Sequence, residues 1–247
     1  MTILGVDYSW DRPDVHCLAS HGYRFIARYL SYDTTGKNLT AAEAGAAHSA
    51  GLDIVLNWEW GKYDAREGAG LGGRQARDAG AFANHIGAPG NLPIYFSVDF
   101  DAQPHEFAAI GAYFKAANTV LGAGRVGVYA GIHLIDYLYT HRLAHWFWQT
   151  YAWSGGKVHA QAHAYQYLNH QKVCGGIADL DKALKPAFGQ WAGAGSSQVI
   201  IDTPNLPSAT SQSFDYTGDI LATSRSIEGL GRTLDNYTSA IDQLRRI

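Results

Sequence analysis

Over roughly its first 190 residues the chain alternates short β-rich runs with longer stretches of helical periodicity. The strand-like runs fall at 3–9, 23–30, 54–60, 93–100, 126–131, 146–152, 164–168 and 177–180. Helical patterns lie between them at 40–50, 72–86 and 105–121, and Thr40-Ala41-Ala42-Glu43 has the form of a capping box. Alternation of this kind predicts repeated βα units, because neighbouring parallel strands need a long crossover that a helix supplies. Eight strands, with no GxGxxG after the first, point to an α/β chain of the closed (β/α)8 TIM-type barrel class and away from an open dinucleotide-binding sheet. The links around the seventh and eighth strands are poor in helix, so one or two barrel helices are expected to be missing.

The pattern changes after Trp191. A Gly/Ala/Ser-rich piece and a polar stretch containing Pro204 and Pro207 read as a linker over 192–213. Beyond it, Ile220, Ile227, Leu234 and Ile241 recur every seventh residue, with Tyr216, Thr223, Leu230, Tyr237 and Leu244 at the complementary offset. That a/d pattern predicts a coiled-coil or docked amphipathic helix over 214–247, and Gly218, Gly229 and Gly231 make it dependent on partner helices. The expected organisation is therefore a barrel at 3–191, a linker, and an oligomerisation or docking helix.

Composition narrows the function. With 47% apolar and 17% charged residues the 247-residue chain can bury a sizeable core, and its formal net charge of −3 carries no basic footprint for nucleic acid. Its longest apolar runs fall short of a membrane span, so membrane insertion is not expected. The 7 Trp, 15 Tyr and 9 Phe exceed what strand cores alone require, and the surplus could stack on the apolar faces of sugar rings. Cys17 and Cys174 leave a single disulfide open. His141/His145 and His159/His163 are four apart but lack the Glu of HExxH, and no GxSxG elbow occurs, so neither a metal, a cofactor nor a serine nucleophile is expected.

Barrel chemistry gathers where strands end. Asp7 ends the first predicted strand, Glu59 the third, Asp99 and Asp101 the fourth, and Asp179 and Asp181 the eighth. Alternation along a strand lets Asp99 and Asp101 point the same way, and likewise Asp179 and Asp181. Like charges among apolar neighbours raise carboxyl pKa values, and a protonated acid beside ionised ones is what glycoside cleavage requires. Tyr8, Arg28, Tyr29, Tyr129, Gln149, Tyr151 and Gln166 stand at strand ends as candidate sugar-binding groups, with Asp179 added to them.

The ordered motifs GVDYSW, LNWEWG, YFSVDFD, GVYAG, WQTYAW, YQY and DLD span nearly the whole predicted barrel. They resemble the glycoside hydrolase-like DUF1906 domain family, found in actinobacterial proteins and phage lysins and related to the family 25 muramidases. The resemblance implies a TIM-type barrel and a peptidoglycan ligand. It maps a first-strand Asp onto Asp7, an Asp-x-Glu pair onto Asp99 and Asp101, and a late Asp onto Asp179. One position departs: Asp101 stands where the muramidases carry the proton-donating Glu, and a displacement of about 1 Å can cost roughly a hundredfold in rate. The expected function is a muramidase-like hydrolase with Glu59 or Asp101 as general acid, Asp99 stabilising the intermediate, and Asp7 and Asp179 orienting substrate. The alternative is a non-catalytic glycan-binding or phage structural module assembled through the C-terminal coiled coil. The N-terminus opens directly on a strand rather than on a signal sequence, which fits a phage-encoded cytoplasmic product released by a holin, or a virion component acting at the cell wall.

Overall fold

The computed structural model describes residues 3–122 and 124–193. Strands β1 (Ile3–Asp7), β2 (Tyr23–Leu30), β3 (Asp53–Trp58), β4 (Ile94–Ser97), β5 (Val126–Ala130), β6 (Trp146–Thr150), β7 (Ala164–Val173) and β8 (Gly176–Ala183) close into an eight-stranded barrel, the β2–β3 pairing joining the ends of the sheet. Helices α1 (Val15–Ser20), α2 (Ala41–Ser49), α3 (Ala69–His85), α4 (Phe107–Leu121) and α5 (Ile132–Thr140) follow the first five strands. Among the described residues none follows β6, β7 or β8.

The absence of a helix after β7 has a physical cause. Only Cys174 and Gly175 separate β7 from β8, too few residues for a crossover, so the two strands form an antiparallel hairpin. Consequently β8 also meets β1 antiparallel, and the barrel closes through two antiparallel pairings where an all-parallel sheet was expected. A short strand, β9 (Gln190–Trp191), which the sequence pattern did not announce, pairs antiparallel with Ile54 and Val55 of β3. There β3 and β4 have splayed, pairing only at Asn57–Tyr95 and Trp58–Phe96. The linker and heptad segment over 194–247 lie outside the described residues.

Two apolar layers alternate along the strands. Phe25, Ala27, Val55, Tyr95, Tyr129, Trp146, Trp148 and Phe188 fill the barrel interior. Val6, Ile26, Leu30, Ile54, Leu56, Phe96 and Val128 face the surrounding helices. Gly5 makes room inside the barrel, since a Cβ there would meet the Phe25 ring at 2.3 Å. Gly72 lets α3 approach α4, where a Cβ would lie 2.3 Å from the Tyr113 carbonyl oxygen. Thr40 caps α2 by accepting from the Glu43 amide at 3.1 Å, as expected. The reciprocal half of the box is different: the Glu43 carboxylate turns to Arg28 and Tyr8.

Candidate active site

Three aspartates sit together where β1 meets β8. Their register pairs Asp7 with Asp179 and Gly5 with Asp181, so Asp181 lies one layer deeper in the barrel. Asp7 accepts from the Tyr29 hydroxyl at 3.0 Å and from the Gln166 amide at 2.8 Å. The same amide nitrogen donates to Asp179 at 3.1 Å. Gln166 is held in that orientation because its carbonyl oxygen accepts from the Tyr129 and Thr150 hydroxyls at 2.7 and 3.1 Å. Asp181 accepts from the Trp148 indole at 2.8 Å, and Asp179 from the His170 amide at 2.7 Å.

Burial, then the charge of Asp179, pushes the Asp7 carboxyl up to about 7 against the opposing hydrogen bonds. Burial likewise raises Asp179 and, more strongly, Asp181. Across the site Asp99 is raised to about 6, first by burial and next by the charge of Glu59, with Lys62 and Lys37 pulling the other way. Glu59 pairs with Lys37 at 2.6 Å, and the Lys37 ammonium lies 4.7 Å from the centre of the Tyr29 ring. A run of contacts therefore leads from Asp7 through Tyr29 and Lys37 to Glu59.

A cavity of about 280 Å³ opens beside the aspartates, lined by Asp7, Trp10, Tyr29, His170 and Asp179 among others. Trp10, Trp60 and Tyr63 are each at least half exposed, and all three follow the C-terminal ends of strands. The loop bearing Trp60 and Tyr63 is tied down by Asp64, which accepts from the Gly61 amide at 2.9 Å and from buried Gln75 at 2.5 Å. On the opposite side Asp11 accepts from the Ile177 amide at 3.1 Å, and the disulfide Cys17–Cys174 fastens α1 to the tip of the β7–β8 hairpin. Cys17, Cys174 and His21 are the one grouping of metal-capable side chains among the described residues, but sulfurs joined in a disulfide offer no thiolate ligand.

Several strand-end residues do not join this group. Arg28 is in step with Ile26 and Leu30, so it leaves the barrel on the helix side, fully buried and paired with Glu43 at 2.7 Å. Tyr8 donates to Glu43 at 3.1 Å under the Arg28 guanidinium, while the residue also lines the cavity beside the aspartates. Gln149 is in step with Phe147 and binds the Lys157 carbonyl oxygen and the His159 amide, each at 2.7 Å. Asp101 is exposed and lines a separate groove with His133, Asp136 and Trp153. The reason is local: β4 ends at Ser97, so strand alternation no longer governs a residue four positions later. Tyr151 stands exposed at the rim. Lys37 was missed because nothing in a polar loop announces its aim. Asp181 was visible as a strand-end acid without an assigned role.

The Mycobacterium tuberculosis protein Rv2525c, named as a candidate peptidoglycan hydrolase, is 33% identical over 164 residues, covering 64% of this chain and 68% of that protein. A crystal structure of Rv2525c, described as Tat-secreted and bound to L-tartrate, superimposes with a TM-score of 0.72 at 32% identity, covering 77% of this chain and 98% of that one. A Bacillus stearothermophilus protein has the same fold, with a TM-score of 0.57 at 21% identity over 73% of this chain and 95% of that one. So does the modular autolysin LytC of Streptococcus pneumoniae, with a TM-score of 0.55 at 14% identity over 73% of this chain and 46% of that one. Residues 16–184 match the family described as Rv2525c-like, glycoside hydrolase-like domain, and the chain belongs to that family.

Proposed function

We propose that the chain is a glycoside hydrolase acting on the glycan of peptidoglycan, with Asp99 as proton donor and Glu59 as its ionised partner. The observation that carries this is the contrast between the two carboxyls. Asp99 holds its proton up to about 6, whereas Glu59 is the carboxylate of a 2.6 Å ion pair with Lys37. A carboxyl with raised proton affinity next to a carboxylate held in an ion pair is the pairing that glycoside cleavage uses. Asp99 would protonate the leaving oxygen, and Glu59 would stabilise the oxocarbenium-like centre or activate water. Asp7 and Asp179, on the cavity wall, would bind sugar hydroxyl or N-acetyl groups, and Trp10 and Trp60 would stack on sugar rings. The name carried by the mycobacterial relative supports peptidoglycan as the substrate class.

A disulfide suits a protein working outside the reducing cytoplasm, and the relative is secreted. A released phage lysin or virion component is included in this reading, and its assembly as an oligomer through 214–247 is supported by the heptad pattern. A second reading, a glycan-binding module without turnover, is favoured by one observation: Asp101, onto which the resemblance maps the proton donor, is exposed and lines a different groove. Reducing-end release from purified peptidoglycan separates the two. Wild type releases new ends while Glu59→Gln and Asp99→Asn each lose at least about a hundredfold. Wall binding with no release by wild type would establish the binding module.

A further inference from the structure

Asp7 and Asp181 are both buried, at 3% and 0% exposure, and the strand register sets them diagonally on the same interior face of β1 and β8, where their carboxyls interact directly. Two carboxylates cannot share such a contact while both ionised, so the pair holds a proton. The surrounding donors decide which residue carries it. Asp7 already accepts from Tyr29 on one oxygen and from Gln166 on the other. Gln166 cannot be turned to reverse this, because its carbonyl oxygen receives two hydroxyl donors. On Asp181, one oxygen accepts from the Trp148 indole, while the other is fully buried and has no donor directed to it. An oxygen without a donor, beside a carboxylate that accepts on both of its own, is an O–H group that donates.

We infer that Asp181 is a neutral carboxylic acid whose O–H supplies the third donor to Asp7, making Asp181 the positioning residue that favours the Asp7 carboxylate and aims it into the cavity. The other groups facing the pair leave this assignment intact. Tyr29 and Tyr129 stand on β2 and β5 as hydroxyl donors already committed to Asp7 and Gln166. Asp179 on β8 adds negative charge, which favours retention of the proton. Asp99 interacts with Glu59, and the Lys37 charge is directed to Glu59. The strong upward displacement of Asp181 by burial agrees with the donor count. A role for Asp7 in catalysis rests on the hydrolase reading; the protonation assignment does not.

The test has a spectroscopic arm that needs no substrate. Infrared spectra of the full chain at about pH 8, with aspartate carboxyls isotopically labelled, are expected to show a neutral carboxylic acid carbonyl band that Asp181→Asn removes. Absence of that band in wild type, or its persistence in Asp181→Asn, overturns the assignment whatever the enzyme does. The second arm compares two variants in reducing-end release. Asn can still donate an N–H to Asp7 and accept from Trp148, whereas Val can do neither. Asp181→Asn should therefore recover most of the activity that Asp181→Val loses, and Asp181→Val should move the Asp7 titration upward. Equal loss in both variants, with no displaced titration, would reduce Asp181 to packing. An intact band in a protein with no turnover would uphold the dyad and refute only the hydrolase reading.

Discussion

Replacing Asp7 by Asn should stabilise the protein, and should do so only where Asp7 would be charged. Burial and neighbouring charge move its carboxyl from 3.8 to about 7, so the folded state binds this proton more tightly than the unfolded chain does. Stability is thus lost as pH rises from the unfolded value to the folded one, and the loss is complete above about 7. At about 1.4 kcal/mol per unit the full displacement is worth roughly 4 kcal/mol. The amide keeps an oxygen for Tyr29 but turns a donor toward Gln166 or Asp181, a cost of about 1–2 kcal/mol. The net expectation is a variant about 2–3 kcal/mol more stable than wild type near pH 8 and about 1–2 kcal/mol less stable near pH 4. Urea denaturation of both proteins across that range measures it. The comparison cancels His163, whose burial holds its imidazole down to about 3 and which gives an opposite pH slope in both proteins. Parallel stability curves for wild type and variant would refute the reasoning, because they would mean that Asp7 pays no electrostatic penalty in the fold.

Three further outcomes are expected. Lys37→Met removes a cation that holds the Asp99 proton affinity down, so the alkaline limb of the rate profile, set near pH 6 by Asp99, should move upward while kcat/KM falls; an unmoved limb would separate Asp99 from proton donation. Cys17→Ala with Cys174→Ala opens a link across 157 residues and should lower stability by roughly 2–4 kcal/mol in denaturant titrations, with no change expected only if the disulfide does not form. Trp10→Ala and Trp60→Ala should each weaken glycan binding by roughly three- to tenfold in isothermal titration, leaving Tm nearly unchanged because both rings are more than half exposed.

The barrel was legible because most of its parallel strands are short β-rich runs, buried on both faces and sharply bounded, as in 126–131 against β5 Val126–Ala130. The antiparallel closure was not, since a two-residue link is obvious only once β7 is known to run on to Val173. The exposed half of β7, alternating Asn169, His170, Gln171 and Lys172, carries too little apolar signal to read as strand. Among site residues, Asp7, Gln166 and Asp179 lie within or at the end of regular strands, where alternation fixes the side on which a side chain emerges. The same rule removes Arg28 and Gln149, which fall on the opposite phase. Asp101 escaped it by lying past the end of its strand. Lys37 comes from a loop, where position depends on tertiary contacts that sequence spacing does not encode.

The proposed function is hydrolysis of a glycosidic bond in peptidoglycan at the Asp99–Glu59 pair. Borohydride reduction of a wall digest followed by mass spectrometry of the released sugars tests it most directly. Reduced N-acetylmuramic acid ends are expected with wild type, with their near disappearance in Asp99→Asn. Reduced ends at N-acetylglucosamine instead would reassign the bond cut, and no reduced sugar above the untreated wall would contradict hydrolysis itself.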